Sequence, residues 1–265
     1  MFELSVGTVF SEGWNRFIKH IGQAVLYALI YGVGAFVVML PFIVVVAATV
    51  GATALLGAAE GKLSQLSGIA GGALALAFIF YIAALIVLAG WMAGFAHVLK
   101  KLVLGEEVEF GDMFSQFKKL LQLVIAGIII GIATGIGFII LIIPGVFLMT
   151  MWSQTYYLII DKDMDAISAM SASWKRVWED FWTVLGIVVL LLIVFGAVGF
   201  VLNLLNAIMG IGFIANTLLL TPLMMMAFWV LYFALFPPAE VAAAGAPVVP
   251  PPPPPPPRTE EPPTQ

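Results

Sequence analysis

The feature that most constrains this chain is a series of apolar stretches, several of which reach the roughly 20 residues a helix needs to cross the hydrocarbon core of a bilayer. They run from about Ile21 to Leu56, interrupted by Pro41, then Ser67 to Leu99, Leu121 to Ile143, Val146 to Ile160, Thr183 to Leu204 and Ile211 to Phe236. A water-soluble fold could not hide so much apolar surface. Of 265 residues, 62% are hydrophobic and 10% charged, against about 25% charged in soluble domains. The alternating pattern of a membrane barrel is absent, so helices are the spanning element. The sequence predicts an all-α integral membrane protein with six transmembrane helices in residues 1–236.

Proline cannot continue the helical bond ladder and glycine accepts turn dihedrals, so Pro144-Gly145 is expected to turn the chain between the third and fourth spans. With the N-terminus inside, the cytoplasmic side receives Arg16, Lys19, Lys100, Lys101, Lys118, Lys119, Lys162, Lys175, Arg176 and Arg258. Only Lys62 falls outside. This bias follows the positive-inside rule and places both termini in the cytoplasm. Were the third and fourth stretches one re-entrant element, the span count would change while the cluster at Lys175 kept its side. The chain opens with Glu3 and an amphipathic stretch rather than a signal peptide, so the first span is expected to be retained.

Each cytoplasmic approach to a pair of spans has helical amphipathic spacing. Val6, Phe10, Gly13, Trp14, Phe17 and Ile21 share one face, with Arg16 and Lys19 opposite. Phe110, Met113, Phe114, Phe117, Leu120 and Leu121 recur in the second, against Lys118 and Lys119. Ile167, Met170, Trp174, Val177, Trp178 and Phe181 form the third, against Lys175, Glu179 and Asp180. Arg176 adds a further cation there. Aromatic rings beside cations suit the headgroup layer, so Trp14, Arg16, Phe117, Lys118, Lys119, Trp174, Lys175, Arg176 and Trp178 are the candidate lipid-interface residues, with anionic lipids as expected partners. The competing reading is that these helices pack on protein.

A shift of 103 residues places Trp14 on Phe117, Gly32 on Gly135, Gly34 on Gly137 and Pro41 on Pro144. A shift of 164 places Trp14 on Trp178 and Gly32 on Gly196 but loses the proline. The simplest reading is three units, each an interfacial helix followed by a two-span hairpin. Beyond Phe236, residues 237–265 form a proline-rich tail with an unbroken run from Pro250 to Pro257. It reads as a disordered cytoplasmic segment that a protein partner could grip.

Within the spans there is no Asp, Glu, Lys or Arg, which argues against a proton-coupled pump or charge-selective pore. Weaker polar groups remain: Gln154, Thr155, Tyr156 and Tyr157 on the fourth span, and Asn216 and Thr221 on the sixth. Gln154, Asn216 and Thr221 could line a substrate path, or serve as hydrogen-bonding glue between helices. Gly127, Gly131 and Gly135 recur four apart on the third span, with Ala24, Ala28 and Gly32 at the equivalent positions of the first. Gly90 and Gly94 form a further pair on the second. Small residues at this spacing let another helix approach closely. Asp161, Asp163 and Asp165 imitate the opening of a calcium loop, but Ala166 stands where the turn glycine belongs and Ala172 where the closing carboxylate belongs. Helix capping explains these acids better. No nucleophile elbow, phosphate loop or metal-ligand spacing appears, there is no cysteine, and no cofactor, enzymatic activity or nucleic-acid partner is expected.

The block Ile143-Pro144-Gly145-Val146, Trp152, Asp161, Ala169 and Ser173-Trp174 resembles poorly characterised bacterial six-span families similar to the membrane portion of some glycerophosphodiester phosphodiesterases. The resemblance implies a bacterial cytoplasmic membrane and a six-span helical fold. It carries no phosphodiesterase activity, because the chain lacks room for that catalytic domain. The leading expectation is a non-catalytic protein that organises or senses the bilayer through its interfacial helices. The alternatives are a transporter or permease component for a lipid-like or uncharged solute, and an enzyme subunit that anchors a soluble partner by its tail.

The orientation predicts the outcome of cysteine labelling in intact cells. A cysteine at Lys62 should be modified from outside, whereas one at Lys118 or Arg258 should not; external labelling at Arg258 would overturn the topology.

Overall fold

The computed structural model describes residues 4–57, 63–209 and 212–238. Lys62, Arg258 and the proline run lie outside them. Helices dominate, and no strand occurs among the described residues. α1 (Val6–Lys19) starts at Ser5, whose hydroxyl accepts the Thr8 N–H at 3.1 Å. α2 (Ile21–Gly57) passes unbroken through Pro41, and α3 (Leu63–Leu104) follows. After two short 3-10 turns, Phe110–Met113 and Ser115–Lys119, come α4 (Leu120–Ile140), α5 (Ile142–Met151) and α6 (Thr155–Lys162). α7 (Ala166–Glu179), α8 (Phe181–Met209), α9 (Gly212–Ala215), a π-helical turn (Asn216–Leu220) and α10 (Thr221–Leu235) complete the order.

Five helical stretches are long and apolar enough to cross a membrane: Ile21–Ala52, Gly71–Leu104, Phe110–Ile140, Phe181–Leu204 and Asn216–Leu235. Their outward faces carry exposed Val33, Phe78, Ile132 and Phe200. Apolar surface on this scale is covered by lipid tails rather than water.

The expected fourth span differs from the sequence reading in two ways. The chain turns at Leu141, which is extended (φ −160°, ψ 150°), rather than at Pro144-Gly145. Those two residues lie inside the first turn of α5, where proline's missing N–H removes no ladder bond. Gly145 is required there, because an added Cβ would lie 2.4 Å from the Phe138 ring of α4. The segment is then broken at Trp152–Gln154, giving helices of 10 and 8 residues. Ser173 of α7 bridges the break: its hydroxyl donates to the Met151 carbonyl at 2.7 Å and accepts the Gln154 N–H at 3.3 Å.

The second interfacial segment is the pair of 3-10 turns rather than an amphipathic α-helix. Asp112 explains the tight winding, because its carboxylate accepts both the Glu109 N–H and the Lys101 ammonium at 2.8 Å. Gly94 of α3 admits the resulting backbone; an added Cβ would lie 1.8 Å from the Met113 carbonyl oxygen.

The core gathers around α10, where ten of fifteen residues are buried. Gly13 of α1 presses on Ala227, 3.0 Å from the position its own Cβ would take. Trp229 is fully buried and donates its indole N–H to the Ala96 carbonyl of α3 at 2.7 Å. Before α10, Thr221 returns both its N–H and its hydroxyl to the Asn216 carbonyl, which closes the π turn locally.

The bridged break generates a test. Ser173→Ala leaves the Met151 carbonyl and Gln154 N–H unpaired in a buried site and should cost about 1–3 kcal/mol, read as a lowered thermal midpoint in detergent. Ser171→Ala, on the exposed face of α7, should be near neutral.

Candidate functional site

One end of the bundle collects the charged residues, and Asp161 at the end of α6 is its hub. Lys100 of α3 meets Asp161 Oδ1 at 2.7 Å, and the Tyr232 hydroxyl of α10 donates to Oδ2 at 2.6 Å. Both oxygens of one carboxylate thus hold three helices together. The Lys100 and Asp161 side chains are 16% and 18% exposed, so the pair is shielded from much of the water that weakens surface ion pairs.

A second pair ties the start of α4 to the end of α6. Lys119 is buried; its ammonium meets Asp163 Oδ1 at 2.7 Å and donates to the Ile160 carbonyl at 2.7 Å. Asp163 adopts the left-handed conformation at φ 52°, which asparagine and aspartate tolerate better than most residues. The Lys119 hydrogen bond holds the Asp163 carboxyl below its usual range. That contribution is present above the unfolded carboxylate pKa, about 3.9, and is lost as pH falls through the depressed folded value. Lys162 lies over the Phe236 ring at 5.0 Å.

The three acids thus have three separate tasks. Asp165 caps α7 by accepting the Ser168 N–H at 3.0 Å; hydrogen bonding from the Ser168 side chain first, and from backbone N–H groups second, lowers its carboxyl pKa. The other two are paired with lysines. No group of three or more His, Asp or Glu side chains is arranged to hold a metal among the described residues.

The interfacial residues divide into two sets. Trp14 and Trp178 are exposed, as are Lys118 and Lys175. Phe117 is half-buried against Gly90, and Trp174 packs on Phe147 and Trp152, with ring centroids 5.7 and 5.8 Å apart. Arg16 bonds Glu12 and the Val103 carbonyl of α3. Arg176 pairs with Glu179 and Asp180 and donates to the Leu235 carbonyl at 2.9 Å. Lys119 therefore spends its charge in a buried pair and Arg176 in pairs along its own helix.

The small residues also separate. Ala24 and Ala28 are fully buried, and Gly32 faces Thr217. Gly90 and Gly94 receive the 3-10 turns. Gly127 faces the Tyr156 hydroxyl, whereas an added Cβ at Gly131 or Gly135 would meet nothing within 4 Å. That part of the α4 face is open among the described residues.

Between α3, α4, α6 and α10 lies a cavity of about 570 Å³. Its walls include Ile86, Ala93, Val124, Gly127, Tyr156 and Tyr157. Gln154, Asn216 and Thr221 do not line it: Gln154 is fully buried at the break, with Oε1 unpartnered among the described residues, Asn216 opens the π turn and Thr221 begins α10. The cavity and the Asp161 cluster escape sequence reasoning because their members are far apart in the chain. An acid in the last turn of an apolar helix, facing Lys100 at the end of another, was the available signal.

No protein-family model, characterised protein or solved structure matches this chain, so a functional reading rests on its own residues.

The Asp161 cluster predicts asymmetric costs. Asp161→Asn strands Lys100 and should destabilise the bundle by about 3–5 kcal/mol, measured by thermal unfolding in detergent. Asp165→Ala removes one exposed cap and should lower the thermal midpoint far less than Asp161→Asn.

Proposed function

We propose that this chain is a non-catalytic, multi-pass protein of the bacterial cytoplasmic membrane that gathers anionic lipid at its basic end. The observation that carries this reading is the division of the cations. Several are consumed by internal pairs, while Lys19, Lys118 and Lys175 stay exposed without an ion pair among the described residues. Exposed aromatic residues accompany them: Trp14, Phe110, Phe114, Trp178 and Trp182. This combination suits the headgroup layer of an anionic leaflet.

We further propose that α5 and α6 together act as a sixth span. The Lys119–Asp163 pair supports it, since α6 ends at the level where α4 starts. From Ile142 to Lys162 the two helices and their break would extend roughly 30 Å at helical rise, enough to cross the core. With this return pass, an interfacial element precedes a pair of spans three times along the chain, in line with a threefold repeat and with both termini in the cytoplasm. Handling of a lipid-like solute is the second reading, favoured by the apolar walls of the cavity.

Native mass spectrometry of the purified protein tests the main proposal. Changing Lys19, Lys118 and Lys175 together to glutamine should reduce retained phosphatidylglycerol by about fivefold or more while the bundle stays folded. Undiminished retention in a folded triple variant would overturn it.

A further inference from the structure

We propose that the cavity between α3, α4, α6 and α10 is a lateral binding site for one acyl chain of a bilayer phospholipid. The inference rests on the membrane placement proposed above and adds a defined site to it. At about 570 Å³ the cavity falls within the roughly 300–1,000 Å³ typical of ligand pockets. It is bounded along α3 from Ile82 to Ala96, a rise of roughly 21 Å, against about 15 Å for the hydrocarbon of one leaflet. A single chain aligned with the helices would lie along it.

The cavity opens sideways. Leu85, Ile86 and Met92 of α3 and Ile128 of α4 line it and are themselves exposed, so its mouth faces the region that lipid tails fill. Water gains little from such walls, because a stable water needs two to four polar partners. A hydrocarbon chain matches them.

Two polar atoms supply the second, independent observation. Tyr156, which is 37% exposed, and the half-buried Tyr157 line the cavity, and neither hydroxyl makes a hydrogen bond among the described residues. A hydroxyl without an acceptor in apolar surroundings is costly, so an acceptor on the occupant is favoured. Their depth fits a phospholipid: Tyr157 precedes Asp161 by one turn, about 6 Å below the charged layer. Ester oxygens lie at that depth when the phosphate is level with the lysines. The Tyr157 ring is fixed for this task, edge-on to Trp229 at 4.6 Å. Gly127 completes the pocket; an added Cβ would be 3.3 Å from the Tyr156 hydroxyl oxygen, so any larger residue would crowd the anchor.

The test uses the full chain in phosphatidylcholine vesicles doped with a phosphatidylcholine that carries a diazirine midway along one acyl chain. After irradiation, adducts are mapped by peptide mass spectrometry, with the exposed face of α8 at Ile193 and Phe200 as the internal reference. Adducts should concentrate on the cavity walls at Met92, Tyr156 and Met225. In a protein carrying Ala89→Leu and Gly127→Leu they should fall while labelling of α8 is unchanged. The double change of Tyr156→Phe and Tyr157→Phe adds no bulk and should still lower cavity adducts about fivefold, the loss of one hydrogen bond. Cavity labelling no higher than that of α8 in the unaltered protein would overturn the proposal. So would a cavity signal that survives both sets of changes, or a cross-linked dimer whose second copy fills the mouth. The probe's headgroup is zwitterionic, so failure here is distinguishable from failure of the lysine variant to lose phosphatidylglycerol.

Discussion

The ion pair between Asp161 and Lys100, completed by the Tyr232 hydroxyl, is the contact on which the arrangement of the helices depends. Lipid tails are as apolar as leucine, so helices in a bilayer gain little from apolar contact alone and need specific contacts to fix their register. Here the specific contacts lie at one end. Asp161 aligns the ends of α3, α6 and α10, and Lys119 aligns α4 with α6. Arg16 and Arg176 then attach the interfacial helices to carbonyls at the ends of α3 and α10. Each of these charges closes a contact that packing leaves undetermined.

That concentration of polar bonding at one end leaves the rest of the bundle to shape. Below the charged layer the helices meet through tightly fitted positions such as Gly13 on Ala227 and Gly94 beneath the Met113 carbonyl. Where no such fit exists, between α3 and α4, the cavity remains. The same chain therefore separates cations that build the structure from cations that face outward, and it does so within single segments. Lys118 is exposed while its neighbour Lys119 is buried.

The long helices were legible because their signal is local: twenty or more apolar residues without a charge define a span whatever they pack against. The fourth segment was less so, since its break is bridged by Ser173 from a different helix and the true turn falls at Leu141 instead of the Pro-Gly pair. The cap at Asp165 could be read from sequence, because capping involves neighbours. The pairing of Asp161 and Asp163 could not, because their lysines come from α3 and from the start of α4. Glycine spacing located small surfaces without identifying what meets them. Gly90 and Gly94 accept an interfacial turn, while Gly131 and Gly135 accept nothing among the described residues. Tyr156 and Tyr157 were legible as polar residues in an apolar run, and only the fold brings them to one cavity.

The central position of α10 has a consequence for biogenesis. A ribosome delivers helices to the membrane in chain order, and the helix that contacts α1, α3 and the Asp161 hub is the last of those described. Until it arrives, Trp229 and Tyr232 are missing from the middle of the assembly, and Ala96 and Asp161 have no partner from that side. Assembly of the described bundle is therefore completed by α10, and a lesion in that helix would leave α1, α3 and α6 without the packing partner they share.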